Sequence, residues 1–306
     1  MDIFFFAPRL SFAAKKKISS YALIRFIHEL SVAFFQKATR KHTKKMMKVI
    51  LITGCTSGLG EALAESLASM GHIVYAGARE PKKLRGNDTL LRPVRLDVTI
   101  DKQCEDAVDK IIEEEGRIDV LINNSAYSLA GTTVDFSTKD CLDIFNTNVV
   151  GAFRLIRLVC PHFISQRSGR IINITSINGL VALPNFGLYS SSKFAIEALG
   201  LSLRYELAKY GIWVTNVAPG AIASENKGDT KKLPHKSARE KFLILRVLMP
   251  MVSRKKVVQK IIDVLDNHVP PARILLGVDA KIMSFLQRFL PQRLWDWLIR
   301  FIWEKK

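Results

Sequence analysis

A chain of 306 residues with 48% apolar and 24% charged residues, 17 glycines and 11 prolines can bury a large core, which excludes a disordered, collagen-like or low-complexity protein. Four scattered cysteines, Cys55, Cys104, Cys141 and Cys160, form no CxxC or Cys/His cluster, so the chain reads as a metal-free protein of a reducing, cytoplasmic compartment. The formal net charge of +18 would suit a nucleic acid, an anionic membrane or an anionic ligand, but it is unevenly spread: residues 1–48 carry eleven Lys and Arg against only Asp2 and Glu29. The basic runs are not interleaved with stacking aromatics on strands, which argues against a nucleic-acid partner.

Residues 1–47 form a basic extension that mixes apolar clusters such as Phe4-Phe5-Phe6 with runs such as Lys15-Lys16-Lys17. No apolar stretch in it reaches the roughly 18 residues of a spanning helix. Three readings fit: an amphipathic helix over 21–37 lying on a membrane, an organellar transit peptide, or a translated chain that starts at Met46 or Met47.

Regular structure begins at Lys48. Short apolar runs at Val49–Ile52, Ile73–Ala76, Val94–Leu96, Val120–Ile122, Ile171–Ile174, Trp213–Val217 and Ile274–Leu276 predict strands. Segments of helical length alternate with them, at Glu61–Met70, Lys102–Glu115, Thr138–Phe163, Ser191–Tyr210 and Lys255–Asn267. Strands apolar on both faces that alternate with helices predict a doubly wound parallel sheet, a Rossmann-like α/β fold. With no internal repeat and no linker, residues 48–277 read as one domain followed by an amphipathic C-terminal segment over 278–306.

The first strand runs into Thr53-Gly54-Cys55-Thr56-Ser57-Gly58-Leu59-Gly60 and then directly into a helix. Glycines at such a turn let backbone approach a pyrophosphate, whose charge the helix N-terminus stabilises. The spacing TGxxxGxG differs from GxGxxG, and by itself is a weak signal. The second strand ends at Gly77-Ala78-Arg79, with no carboxylate for an adenosine ribose; Arg79 there pairs with a 2′-phosphate, which favours NADP over NAD. Ser176 ends a later strand, and Tyr189 and Lys193 follow at i and i+4, so on a helix they share a face. An ammonium beside a phenol lowers its pKa, preparing the tyrosine to exchange a proton with an alcohol or carbonyl.

These motifs, together with Asp97 in Leu96-Asp97-Val98, Asn123-Asn124, Asn148 in Asn146-Thr147-Asn148-Val149-Val150-Gly151, and Pro219-Gly220, closely resemble those of the short-chain dehydrogenase/reductase family across residues 48–277. The resemblance implies a sheet of about seven strands and hydride transfer between a nicotinamide and a substrate alcohol or carbonyl. It implies Tyr189 as general acid/base, Lys193 as the group that lowers its pKa and binds the nicotinamide ribose, Ser176 on the substrate oxygen, and Asn148 holding a relay water. Thr53, Gly54, Ser57, Gly58, Leu59 and Gly60 would shape the pyrophosphate site. Asp97 and Val98 would meet the adenine, Asn123 would support the ribose region, and Pro219-Gly220 would close the cofactor cleft. Homo-oligomers built on the helices near Asn148 and Tyr189 are also implied.

One departure stands out: Asn123-Asn124-Ser125-Ala126 replaces NNAG, so a Cβ stands where the family has glycine, and a turn requiring positive φ there would be strained. After Pro219-Gly220 the family forms a substrate lid, here 221–251, whose Phe242–Leu245 and Val247–Met249 runs suit an apolar retinoid, steroid or lipid-like substrate or pack the lid onto the core. Ala280–Trp303 is rich in Phe, Leu and Trp flanked by Arg288, Arg293 and Arg300, a composition suited to a peripheral membrane contact or to packing on the sheet. A weaker resemblance at the C-terminal end is to retinol and hydroxysteroid dehydrogenase relatives. The runner-up reading is a catalytically silent nucleotide-binding regulator or scaffold of the same fold.

Overall fold

The computed structural model describes residues 46–84, 89–223 and 251–303, and Met47–Lys306 forms one compact unit. The elements in chain order are β1 (Val49–Thr53), α1 (Gly58–Ser69), β2 (Ile73–Ala78), β3 (Leu91–Arg95), α2 (Asp101–Glu115), β4 (Val120–Asn123) and α3 (Thr138–Phe145). After them come α4 (Gly151–Gln166), β5 (Gly169–Ile174), α5 (Gly187–Leu207), β6 (Ile212–Pro219), α6 (Arg254–Asp266), β7 (Arg273–Leu276), α7 (Val278–Phe289) and α8 (Gln292–Trp303). All seven strands pair in parallel in the order β3-β2-β1-β4-β5-β6-β7, the doubly wound sheet expected from the sequence.

Alternate residues of β1 feed two separate cores. Ile50 and Ile52 face α1 and α6 through Leu63, Leu67, Val257 and Ile261, while Val49 and Leu51 face α2 and α4 through Val108, Ile111, Leu155 and Val159. A strand buried on both faces cannot alternate polar with apolar, which is why VILIT reads as a continuous apolar run. A third, smaller cluster joins Ile177 and Val181, just beyond β5, to Ala280 and Met283 of α7 and Trp295 of α8.

Three boundaries differ from the sequence reading. The single helix expected over Thr138–Phe163 is interrupted by a π turn at Asn146–Val150. The helix expected from Ser191 starts at Gly187, which puts Tyr189 inside its first turn. The C-terminal stretch is two helices, broken where Leu290 and Pro291 end α7, because proline cannot continue a helix. The extension at 1–45, most of the lid (224–250) and Arg85 lie outside the described residues.

Candidate active site

The sequence-predicted residues converge on the carboxyl ends of the strands. Thr53 ends β1, Arg79 follows β2, Asp97 lies just beyond β3, Asn123 ends β4, Ser176 lies just beyond β5, and Pro219 ends β6. The strand order reverses between β1 and β4, and at such a switch point the loops diverge and leave a crevice above the sheet.

The glycine turn sits at that point. Gly54 and Gly58 have φ of +70° and +67°, a left-handed conformation that glycine adopts without penalty. Gly60 is required for another reason: a Cβ there would lie 2.2 Å from the Gly54 carbonyl oxygen and 2.5 Å from Asn124 Nδ2. Ser57 precedes α1 in an extended conformation and makes no side-chain capping bond, so no side chain caps the N-terminus of this 12-residue helix. An uncapped N-terminus flanked by glycines at Gly54, Gly58 and Gly60 fits an anionic phosphate. Leu59 points back into the core.

Asn124, which sequence reasoning quoted only as part of a motif, fastens this turn. Its Nδ2 donates to the Thr53 and Gly54 carbonyls at 2.8 and 3.1 Å, and Thr53 Oγ1 accepts from the Asn124 and Ser125 N–H groups at 2.9 and 2.8 Å. The ends of β1 and β4 are thereby locked together. Ala126 is exposed and has no left-handed φ, so the strain that its Cβ could have brought is absent. Cys55 in the same turn is fully buried, and burial pushes its thiol up to about 12, so it is no nucleophile.

At the tip of β2, Arg79 is exposed and Glu80 is drawn away by Lys83 at 2.8 Å, which holds the Glu80 carboxyl below its usual range. Among the described residues of this strand tip, the one acid is therefore already engaged, and Arg79 stands as an exposed cation. Asp97 turns Oδ1 to the backbone N–H and hydroxyl of Thr99 at 3.0 and 2.7 Å, which orients its half-buried carboxylate. Val98 packs its buried side chain against Gly151, where a Cβ would lie 2.7 Å from Val98 Cγ2.

Ser176, Tyr189 and Lys193 gather beyond β5. Ser176 Oγ accepts from the Asn178 N–H at 3.2 Å and hydrogen-bonds to Tyr189. Burial raises the Tyr189 phenol above its ordinary pKa, and the bond from Ser176 pulls it partly back. Lys193 Nζ lies 5.7 Å from the Tyr189 ring centroid and donates to the Ile174 carbonyl at 2.9 Å. Lys193 itself is 3% exposed, and burial depresses its ammonium to about 8, against the opposing pull of Glu197.

Asn148 lies in the π turn, buried. Its Oδ1 accepts from the Tyr127 N–H at 3.0 Å, and its Nδ2 donates to the Tyr127 carbonyl and to Ser192 Oγ, both at 3.0 Å. The amide thus fastens the loop after β4 to α5, with both Nδ2 hydrogens engaged. Asn123 belongs to a ladder that the sequence did not reveal: its Nδ2 donates to Asn173 Oδ1, and Asn173 Nδ2 donates to Asn216 Oδ1, each at 3.0 Å. The three asparagines are in register on β4, β5 and β6. Gly220 follows Pro219, donates its N–H to the Leu276 carbonyl at 2.7 Å, and packs against Asp279, whose Oδ2 accepts from the Ala221 N–H at 2.7 Å.

The model of the short chain dehydrogenase family matches residues 48–234. A 3-ketodihydrosphingosine reductase of Bacteroides thetaiotaomicron is 39% identical over 174 residues, a match that covers 56% of this chain and 63% of that one. An oxidoreductase of Botryotinia fuckeliana is 32% identical over 251 residues, covering 77% of this chain and 90% of that one. Among solved structures, a short-chain dehydrogenase from Streptomyces avermitilis superposes with a TM-score of 0.72 at 28% identity, covering 83% and 97% of the two chains. A short chain dehydrogenase from Burkholderia cenocepacia, in complex with NADP, does so with a TM-score of 0.69 at 26% identity over 82% and 97%. With a parallel seven-stranded sheet, a glycine turn at its switch point and Ser176, Tyr189 and Lys193 beyond its fifth strand, this chain belongs to the short chain dehydrogenase family.

Proposed function

We propose that this protein is an NADP(H)-dependent oxidoreductase that interconverts an alcohol and a carbonyl on an apolar substrate. The observation that carries the reading is the convergence of Ser176, Tyr189 and Lys193 on the same edge of the sheet as the uncapped helix N-terminus and Arg79. The solved relative in complex with NADP supports the cofactor. The 3-ketodihydrosphingosine reductase among the relatives supports a lipid-like substrate.

When bound, the cofactor supplies or receives the hydride. Gly54, Gly58, Gly60 and the start of α1 would receive its pyrophosphate, Arg79 its 2′-phosphate, Asp97 its adenine and Lys193 its nicotinamide ribose. Ser176 orients the substrate oxygen, and Tyr189 gives or takes the proton at its hydroxyl. Because burial favours the neutral phenol, Tyr189 is set to donate, which suits carbonyl reduction. The catalytic body spans 48–277.

Peripheral contact of a cytoplasmic protein with an anionic lipid surface is part of the same reading. Among the described residues no helix is long and apolar enough to cross a membrane. α7 instead exposes Val278, Ile282, Phe285 and Phe289, and α8 exposes Leu294, Trp297 and Phe301, each a stripe at helical spacing opposite the face packed on Met283 or Trp295. Arg288 lies 5.7 Å from the Phe289 ring, and Arg293 and Arg300 flank the α8 stripe, the arrangement that headgroup-level insertion favours. Cosedimentation with phosphatidylserine vesicles, lost in Trp297→Ser/Phe301→Ser, tests this; equal pelleting of both proteins removes it.

The main reading is tested by fluorescence titration with NADPH and NADH, followed by a screen of apolar ketones and alcohols. Preferential NADPH binding with turnover that Tyr189→Phe abolishes is the expected result. NADPH binding without turnover of any compound would leave the silent scaffold as the better account.

A further inference from the structure

Glu197 is a buried titratable group with no part in the chemistry assigned above. It lies on α5 one turn beyond Lys193, so Tyr189, Lys193 and Glu197 at i, i+4 and i+8 share one helix face. It is 3% exposed, and donors from three directions hold it. Its Oε1 accepts from the Thr175 hydroxyl at 2.6 Å, and its Oε2 accepts from Asn216 Nδ2 at 3.0 Å and from Arg273 Nε at 2.8 Å. Thr175 immediately precedes Ser176, Asn216 ends the asparagine ladder on β6, and Arg273 begins β7. Burying a carboxylate this deep is costly unless such donors replace its lost water. The turn after Ser176 is pressed onto the same spot: a Cβ on Gly179 would lie 2.7 Å from the Lys193 carbonyl oxygen and 3.0 Å from Glu197 Cγ.

We infer that Glu197, anchored by Arg273, is a positioning residue that holds the buried Lys193 side chain as an ammonium, so that a charge pair at β7 sets the charge at the cofactor's ribose. The inference rests on the assignment of Lys193 to that ribose. Desolvation works against the ammonium, and Glu197 is the charge that opposes it. Among the described residues, the other groups around Lys193 are neutral: Tyr189 on its own helix, the Ile174 carbonyl and Thr175 hydroxyl at the end of β5, Ser176 in the following turn, and Asn148, which reaches Ser192 from the π turn. Arg273 acts through its bond to Glu197.

Two substitutions then move Lys193 in opposite directions. Glu197→Gln preserves the side-chain shape but deletes the anion, so Lys193 loses its proton at lower pH. Arg273→Gln deletes the cation that offsets Glu197, so Lys193 keeps its proton to higher pH. A purely structural pair would loosen the β6–β7 side of the sheet in both variants and shift neither titration in a signed way.

The experiment is NADPH binding by fluorescence on the full chain from about pH 6.5 to 10, with thermal melting at each pH to confirm folding. The alkaline limb of binding is expected to fall by roughly one pH unit in Glu197→Gln, to rise by roughly half a unit in Arg273→Gln, and to return to the wild-type position in Arg273→Lys. Limbs that stay in place, or move the same way in both folded variants, overturn the inference. Should Glu197→Gln fail to fold, the comparison of Arg273→Gln with Arg273→Lys decides it alone, and the absence of an upward shift sinks it. A wild-type chain that binds no NADPH at any pH overturns the cofactor reading and this inference with it, whereas intact binding with unmoved limbs overturns the inference only.

Discussion

Gly60→Ala is the sharpest test of how the glycine turn works. The added methyl would sit 2.2 Å from the Gly54 carbonyl oxygen, 2.9 Å from the Gly54 carbonyl carbon and 2.5 Å from Asn124 Nδ2. To reach an ordinary contact, α1 and the turn must part by roughly 1.2 Å, and backbone offers no flexible end that can swing aside. The displaced amide is the one that bonds to the Thr53 and Gly54 carbonyls at 2.8 and 3.1 Å. Overpacking costs about 1–3 kcal/mol and two weakened hydrogen bonds about 1 kcal/mol each, so a loss of about 3–5 kcal/mol follows. In a domain of this size that lowers Tm by roughly 6–20 °C. NADPH affinity should fall by roughly tenfold or more, because separating α1 from the turn moves the helix N-terminus from the phosphate. Gly71→Ala is the control: Gly71 has φ of +86°, but a Cβ there meets nothing within 4 Å, so it costs about 1–2 kcal/mol of backbone strain and leaves the NADPH Kd unchanged. Differential scanning calorimetry and fluorescence titration read both quantities. A Gly60→Ala protein with wild-type Tm and NADPH Kd would refute the close-approach argument.

Arg79→Ala should weaken NADPH binding by roughly tenfold while leaving NADH binding within about twofold, since only the former carries the phosphate that Arg79 would pair with; equal losses for both refute the assignment. Tyr189→Phe should retain NADPH binding and lose turnover by roughly a hundredfold or more, read by steady-state kinetics once a substrate is in hand. Asn216→Ala should destabilise the fold by about 3 kcal/mol or more in urea unfolding, because it strands the Asn173 Nδ2 donor and two acceptors on buried Glu197; a loss below about 1 kcal/mol would mean that the ladder relaxes around the gap. Lys193 is depressed to about 8 from 10.5, so between those values the unfolded chain holds the extra proton and this group's contribution to stability rises with pH. Over about pH 7.5–9.5 that rise is about 1–2 kcal/mol, and Lys193→Met should flatten it; parallel stability curves for the two proteins would count against a buried ammonium.

The sequence by itself determined the architecture and most of the site, because both are carried by local signals. Strands such as VILIT are apolar on both faces only when helices cover both faces, and the glycine turn, Ser176, Tyr189 and Lys193 lie at spacings short enough to read along the chain. What only the tertiary structure decided are the relations between residues far apart in sequence. Asn148 is one residue of a motif when read along the chain, and only the π turn aims its amide at Tyr127 and Ser192. Ala126 reads as a strained intruder until the backbone proves to need no left-handed φ there. Glu197 sits at helical spacing from Lys193 and could have been suspected, yet Arg273 lies 76 positions further along and meets it only because parallel pairing sets Asn216 beside Arg273. The balance of charge at Lys193 follows from burial and from that pairing. Neither is a property of the chain until the sheet has assembled.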